Sequence, residues 1–226
     1  MRKGKIRKVN TVRNIIISFL TVLVATVGAY GIFYSAGPDE NSFIEGKHYT
    51  ILKNSIRQRP GQALVVEEFF SYGCIHCWNF EALIDKWEPK LGPEVIFNRS
   101  PVAFTPNWTL LAQSYHALES LDSLEPSHER IFNAIHDQGR EFNSLEDLAS
   151  FLDGRNITAE EFKTAFQSTD VVRETRKSRL RQQEFQITSV PTLIVANKYS
   201  INMDFGRKNA LAVADYLLDK ELAKPQ

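Results

Sequence analysis

Cys74 and Cys77 are the only cysteines in 226 residues, and they stand three positions apart in the stretch FFSYGCIHCWNF, residues 69–80. A structural disulfide gains most by closing a long loop of the unfolded chain, and this one closes almost nothing. A zinc site wants four suitable ligands, whereas the chain offers one C-x-x-C and five scattered histidines without an H-x(3–5)-H partner. Attachment of c-type haem needs His directly after the second Cys, and Trp78 stands there. A redox pair remains. Two neighbours are suited to its chemistry. His76, inside the turn, can give the Cys74 sulfur a hydrogen bond or a positive charge. Glu68, six residues before Cys74, is a carboxyl able to carry the proton that a buried thiol must lose or regain.

The elements around the pair follow from periodicity. ALVVEEFF (63–70) is a continuous apolar and β-branched run that reads as a central strand buried on both faces. Successive side chains alternate across a sheet, so Glu67 is expected on the face opposite Glu68. Phe80, Leu83, Ile84 and Trp87 share a helical face before Pro89, which places Cys74 at or just before a helix N-terminus. There the unpaired amides and the positive end of the dipole favour a thiolate. A second strand over 94–104 carries Pro101 at an end or edge, and Arg99 on it is a candidate countercharge for Glu68.

Further along, residues 189–205 read as two strands joined at 196–198, followed by a closing amphipathic helix. Between Phe104 and Pro191 lie 86 residues, far more than a simple crossover needs, and they read as all helix. Leu110, Leu111, Tyr115, Leu118 and Leu121 form one stripe; Ile131, Phe132 and Ile135 form another. Ser144 and Thr158 are expected N-caps, the latter in a capping box with Glu161, and Gly154 is expected to end the helix between them. The basic run over 170–186 is expected to be a solvated helix face rather than a nucleic-acid patch.

The formal net charge of zero hides an asymmetry. Six cations and no acid occupy residues 1–13, leaving 21 basic against 27 acidic residues on the remainder, so no basic stripe for nucleic acid survives. Ile15 to Ala36 then supplies 22 residues without a charge. At about 1.5 Å rise per residue they span a hydrocarbon core of about 30 Å, longer than the usual apolar region of a signal peptide. The expectation is an inner-membrane anchor with its cations in the cytoplasm and everything from Gly37 onward outside it. A cleaved signal ending among the small residues 27–31 is the alternative. Either way the cysteines leave the cytosol for an oxidising compartment. The expected organisation is 1–36 tail and anchor, 37–104 first part of the catalytic domain, 105–186 helical insert, and 187–226 second part.

The segments EGKHYTIL, EEFFSYGCIHCWNFE and ITSVPTLIVANKYSIN, with a helical insert between the last two, resemble the DsbA family of thiol:disulfide oxidoreductases over roughly residues 43–221. The resemblance implies an α/β thioredoxin-like fold with an inserted all-helical domain, behind an N-terminal transmembrane or signal segment. It implies that Cys74 is the solvent-facing nucleophile and Cys77 the buried partner that resolves mixed disulfides. It makes Pro191 the cis-proline beside the redox pair, with Val190 backbone groups offered to an extended substrate chain, and Glu68 the buried acid beneath. The partners it implies are reduced client proteins and a quinone-linked membrane reoxidase of the DsbB type. The chain is expected to act as a monomer without a cofactor or a metal. One departure stands in the turn itself, where founding members of the family have Pro and this chain has Ile75.

Two rival functions differ in what they need. A disulfide isomerase of this family carries an amino-terminal dimerisation domain, and the stretch between Ala36 and the strand near Tyr49 leaves no room for one; a reductase would differ in redox potential. A copper-handling module would use Cys74, Cys77 and His76, but carriers of soft metals tend to add thioethers, and the only methionines are Met1 and Met203.

Overall fold

The β-branched and aromatic run Leu64–Phe70 forms the central strand β2, with six of its seven residues buried. In this computed structural model residues 16–28, 43–53, 55, 61–154 and 156–224 are described. On one side β2 pairs in parallel with β3 (Val95–Pro101); on the other it pairs antiparallel with β4 (Thr192–Val195). A turn in which Ala196 and Asn197 take φ of 53° and 50° leads to β5 (Tyr199–Ile201), and β1 (Tyr49–Ile51) closes that edge. The strand order is β1-β5-β4-β2-β3. Pro101 ends the edge strand β3, where its missing N–H costs no ladder bond.

An amino-terminal helix, α1, is described over 16–28 and belongs to a unit separate from Phe43–Gln226. The expected span Ile15–Ala36 falls partly outside the described residues, at 15 and 29–36. Among the described residues no helix is long and apolar enough to cross a membrane, since the described part of α1 runs for only 13 residues.

Within Phe43–Gln226, β2 runs through a tight turn into α2 (Ile75–Trp87). Pro89 halts α2, and a single 3-10 turn, Glu88–Lys90, follows. Among the described residues, five helices stand between β3 and β4: α3 (Pro106–Ser120), α4 (Leu124–His136), α5 (Leu145–Leu152), α6 (Ala159–Phe166) and α7 (Thr169–Glu184). Their termini follow local chemistry. Thr105, Ser144, Thr158 and Ser168 each accept a backbone N–H at a helix start, and Thr158 and Glu161 close a reciprocal capping box. Gly154, past the end of α5, takes φ 76°, a conformation that costs glycine nothing. The last helix, α8 (Arg207–Leu222), packs on the sheet.

Three apolar clusters form among the described residues, the smallest of them Phe69, Val102, Phe185, Ile187 and Ile194, and the two larger ones position the site. One joins Phe80, Ile84 and Trp87 of α2 to Leu193 and Val195 of β4 and to Val213 and Leu217 of α8. The other fills the helical region and reaches Phe70, Tyr72, Cys74 and Cys77 at the C-terminal end of β2. The cysteines therefore sit where the helical core meets the sheet.

Candidate active site

The turn after β2 places Cys74 as the N-cap of α2 (φ −104°, ψ 110°). Ser71 builds this turn: its carbonyl accepts the Cys74 N–H at 3.0 Å and its hydroxyl the Gly73 N–H at 3.2 Å. Gly73 is required by close approach, since a Cβ there would stand 2.4 Å from Trp108 Nε1 of α3. Cys74 does what Ser or Asp does at other helix starts, accepting the Cys77 N–H on its sulfur at 3.3 Å. A sulfur in that position is better served by a negative charge. Its pKa is accordingly lowered to about 6, first by the hydrogen bond from the Cys77 thiol, against the opposing effect of burial, and then by the backbone amides of Cys77 and His76. The His76 imidazole charge adds less than these, and the side chain is exposed. The second thiol and the helix terminus therefore outrank His76, which was expected to give the sulfur a hydrogen bond or a positive charge.

Cys77 lies at the other extreme. It is fully buried, and burial, then the hydrogen bond to Cys74, then the Glu68 carboxyl push its thiol far up. Cys74 is 8% exposed, so one sulfur borders the surface and the other does not. Both are free thiols. Across from them the Val190–Pro191 bond is cis, and the Val190 carbonyl accepts from Cys74 Sγ at 3.5 Å. Ile75, 45% exposed, projects from the turn at the surface.

Beneath the pair, Glu68 is fully buried rather than a strand-end carboxylate in water, and neither of its oxygens has a hydrogen-bond partner among the described residues. Burial, then repulsion from Glu81, raises its pKa well above the ordinary carboxylate range, and Arg99 only partly opposes this. Arg99 is in register with Glu68 on β3, its Nε 3.5 Å from Glu68 Oε2. The same guanidinium donates from Nη2 to Glu81 Oε2 at 2.9 Å and lies 3.8 Å from Glu88. Glu81 is buried but is held below its ordinary value, because His128 and Arg99 outweigh the desolvation that raises it. Glu67 does face the other way, where it pairs with Arg181 of α7, which also donates to Asn197 at 2.7 Å. The charged helix α7 is thus anchored through one of its cations.

Sequence reading missed Glu81, His128, Tyr72 and Trp108 as neighbours of the site. Glu81 had a signal: it stands four residues after Cys77, inside the stripe formed with Phe80 and Ile84 that faces the protein. The contact of His128 with Tyr72 spans 56 positions and had none.

A dithiol split between an N-cap sulfur whose pKa is lowered and a buried one whose pKa is raised, facing a proline loop on a thioredoxin-like sheet, defines a thiol:disulfide oxidoreductase. Comparison with known proteins agrees. Residues 65–218 match the DSBA-like thioredoxin domain, and the chain belongs to that family. It is 33% identical over 214 residues to the thiol:disulfide interchange protein DsbA of Pseudomonas aeruginosa, covering 93% of this chain and 98% of the relative. The DsbA of Azotobacter vinelandii is 35% identical over 179 residues, 78% of this chain and 83% of that one. The crystal structure of Pseudomonas aeruginosa DsbA superposes with a TM-score of 0.75 at 32% identity, over 80% of this chain and 95% of the other.

Proposed function

We propose that the chain donates disulfides to reduced proteins outside the cytoplasm. The observation that carries this reading is the asymmetry of the two sulfurs, with the Cys74 thiol lowered to about 6 and the Cys77 thiol raised. Stabilising a thiolate stabilises the reduced enzyme, so the oxidised enzyme gives its disulfide away more readily; each pKa unit is worth about 1.4 kcal/mol, or about 30 mV.

In the donating step a client thiolate attacks Cys74 Sγ. The Cys74–Cys77 bond breaks, and its electron pair leaves on Cys77, which takes a proton from Glu68. A second client thiolate then attacks the client sulfur of the mixed disulfide and releases Cys74 as a thiolate, so the client is oxidised by two electrons and the enzyme reduced by two. Once Cys74 is ionised it no longer donates to the Val190 carbonyl, which is freed for a backbone N–H of an extended client chain. Reoxidation runs the same chemistry in reverse, with Cys77 returning its proton to Glu68, and the oxidant is a quinone-linked membrane protein of the DsbB type. A reductase differs only in poise. Titration of the thiolate ultraviolet absorbance of the full-length reduced protein, with its redox equilibrium against glutathione, separates the two. A midpoint near pH 6 and a potential well above thioredoxin's are expected; a midpoint near 9 with a thioredoxin-like potential would establish a reductase.

The reading extends to location: the chemistry takes place at the outer face of the inner membrane. Six cations followed by 22 uncharged residues support an anchor with its amino terminus inside. Thr21 and Thr26 in α1 return their hydroxyls to the carbonyls of Ile17 and Val22 at 3.1 and 3.0 Å, which satisfies these two donors within the helix. Alkaline extraction of native membranes should leave the protein in the pellet with residues 1–36 intact. A soluble chain starting within 27–32 would show a cleaved signal instead.

A further inference from the structure

We propose that the groove between α2 and α4 is a subsite for the client chain, taking lysine or arginine side chains that lie a few residues from the client cysteine joined to Cys74. The inference rests on the disulfide-donor reading and names the class of client that the same site prefers.

Helical periodicity sets the groove in line with the nucleophile. Trp78, Glu81, Asp85 and Glu88 follow Cys74 at intervals of four, three, four and three residues, the spacing of a single helix stripe. This stripe forms one wall of a groove of about 860 Å³, and Glu125 and Glu129, one turn apart on α4, stand on the other. Trp78 is fixed at the end nearest Cys74 by stacking on Phe132 and by donating to Asp137 at 3.2 Å. At about 1.5 Å per helical residue, Glu81 and Glu88 lie roughly 10 and 21 Å along the axis from Cys74. An extended chain advances about 3.3 Å per residue, so these distances match about three and six residues of a client leaving the mixed disulfide. The occupant is the client rather than a separate partner because the stripe begins at the sulfur that holds the client.

The groove is short of positive charge. Among the described residues five carboxylates line it against one guanidinium, that of Arg99, which Glu68 also shares. Asp85, Glu125 and Glu129 are exposed and make no ion pair among the described residues. Glu88 is crowded by its neighbours: burial raises its pKa, Arg99 opposes this, and Glu125, Asp85 and Glu81 raise it further. Glu81 is the innermost member. Its side chain is 7% exposed, Oε2 accepts from Arg99 at 2.9 Å, and Oε1 has no hydrogen-bond partner among the described residues. Charges set into a wall are screened less than charges in open water. A cleft lined by one sign of charge focuses its field on an approaching cation. Like charges so placed repel each other, and an incoming ammonium or guanidinium relieves the repulsion. These groups fit better than a metal ion, since no three of the described side chains converge as metal ligands.

The test is single-turnover oxidation of reduced dithiol peptides by the full-length protein in its disulfide form. One peptide carries lysines about three to six residues to either side of its cysteines, a second carries glutamines there, and a third has the lysines moved about ten residues further out. At low salt the first should react about tenfold faster than the second. The third should show little of this preference, and high salt should remove it. Asp85→Asn, Glu125→Gln and Glu129→Gln together should abolish the preference and leave the rate on the glutamine peptide alone. Glu141→Gln, Glu146→Gln and Glu160→Gln remove the same charge from exposed positions outside the groove and should retain it. Equal rates on the first two peptides, a preference that survives the groove substitutions, or equal loss in both triple variants overturns the proposal. Failure of the unsubstituted protein to oxidise any of the peptides would overturn the donor reading itself, an outcome distinct from a missing preference.

Discussion

Cys77→Ala accumulates mixed disulfides with client proteins, resolved on non-reducing gels as a ladder above the monomer, while Cys74→Ala accumulates none. The expected contrast is close to all-or-nothing because two factors act in the same direction. Cys74 reaches the surface beside Val190, and without Cys77 it still has the backbone amides of the helix terminus that favour its thiolate. Cys77 is fully buried, and its thiol is pushed up by burial and by Glu68, so without its partner it is neither reachable nor ionised. A lone Cys74 still exchanges with a disulfide, but no internal thiol then displaces the client. Wild-type protein should show only traces, because resolution is intramolecular. Equal ladders from both variants would mean that either sulfur can meet a client, and the assignment of roles would fail.

Much of this arrangement was legible in the sequence because it is local. The N-cap position of Cys74 follows from a strand ending at Phe70 and an apolar stripe of Phe80, Leu83, Ile84 and Trp87. The capping box of Thr158 and Glu161 and the turn at Ala196–Lys198 depend on residues within a few positions of each other. Even Arg99 opposite Glu68 was legible, since two strand-like runs flanking one helix imply parallel pairing, and register then sets them side by side. Contacts set by helix packing were not legible. His128 reaches Glu81 only because α4 lies along α2, and Arg181 meets Glu67 across 114 positions. Such pairs depend on interhelical rotation, which polar residues on a helix face do not specify. The favouring of a thiolate at Cys74 was legible for the same local reason, since the backbone amides of a helix terminus are possessed by every sequence.

Arg99→Leu should lose about 3–5 kcal/mol of stability at neutral pH, the usual cost of removing one partner from a buried ionic cluster. The guanidinium is the cation shared by Glu68 and Glu81, and its side chain is 14% exposed. Leucine fills part of the stem's volume, so the loss measures charge more than packing. The sign of the pH dependence separates the two contributions. Glu68 has a native pKa above its unfolded value, so between the two values the native state holds more protons, and stability falls as pH rises through that window. Without Arg99 the pKa of Glu68 rises further and Glu81 loses a partner that holds it low, which widens the window upward. The deficit of Arg99→Leu should therefore be largest at pH 8 and should shrink toward pH 5, as the stranded carboxyls take up protons. Adding Glu68→Gln removes one of those charges and should recover part of the loss at pH 8, with little effect at pH 5. Urea unfolding of the four proteins, wild type, two singles and the double, at both pH values supplies the whole cycle. A deficit independent of pH and untouched by Glu68→Gln would assign Arg99 to packing, through the guanidinium 5.1 Å from the Phe97 ring centre, and would deprive Glu68 of its countercharge.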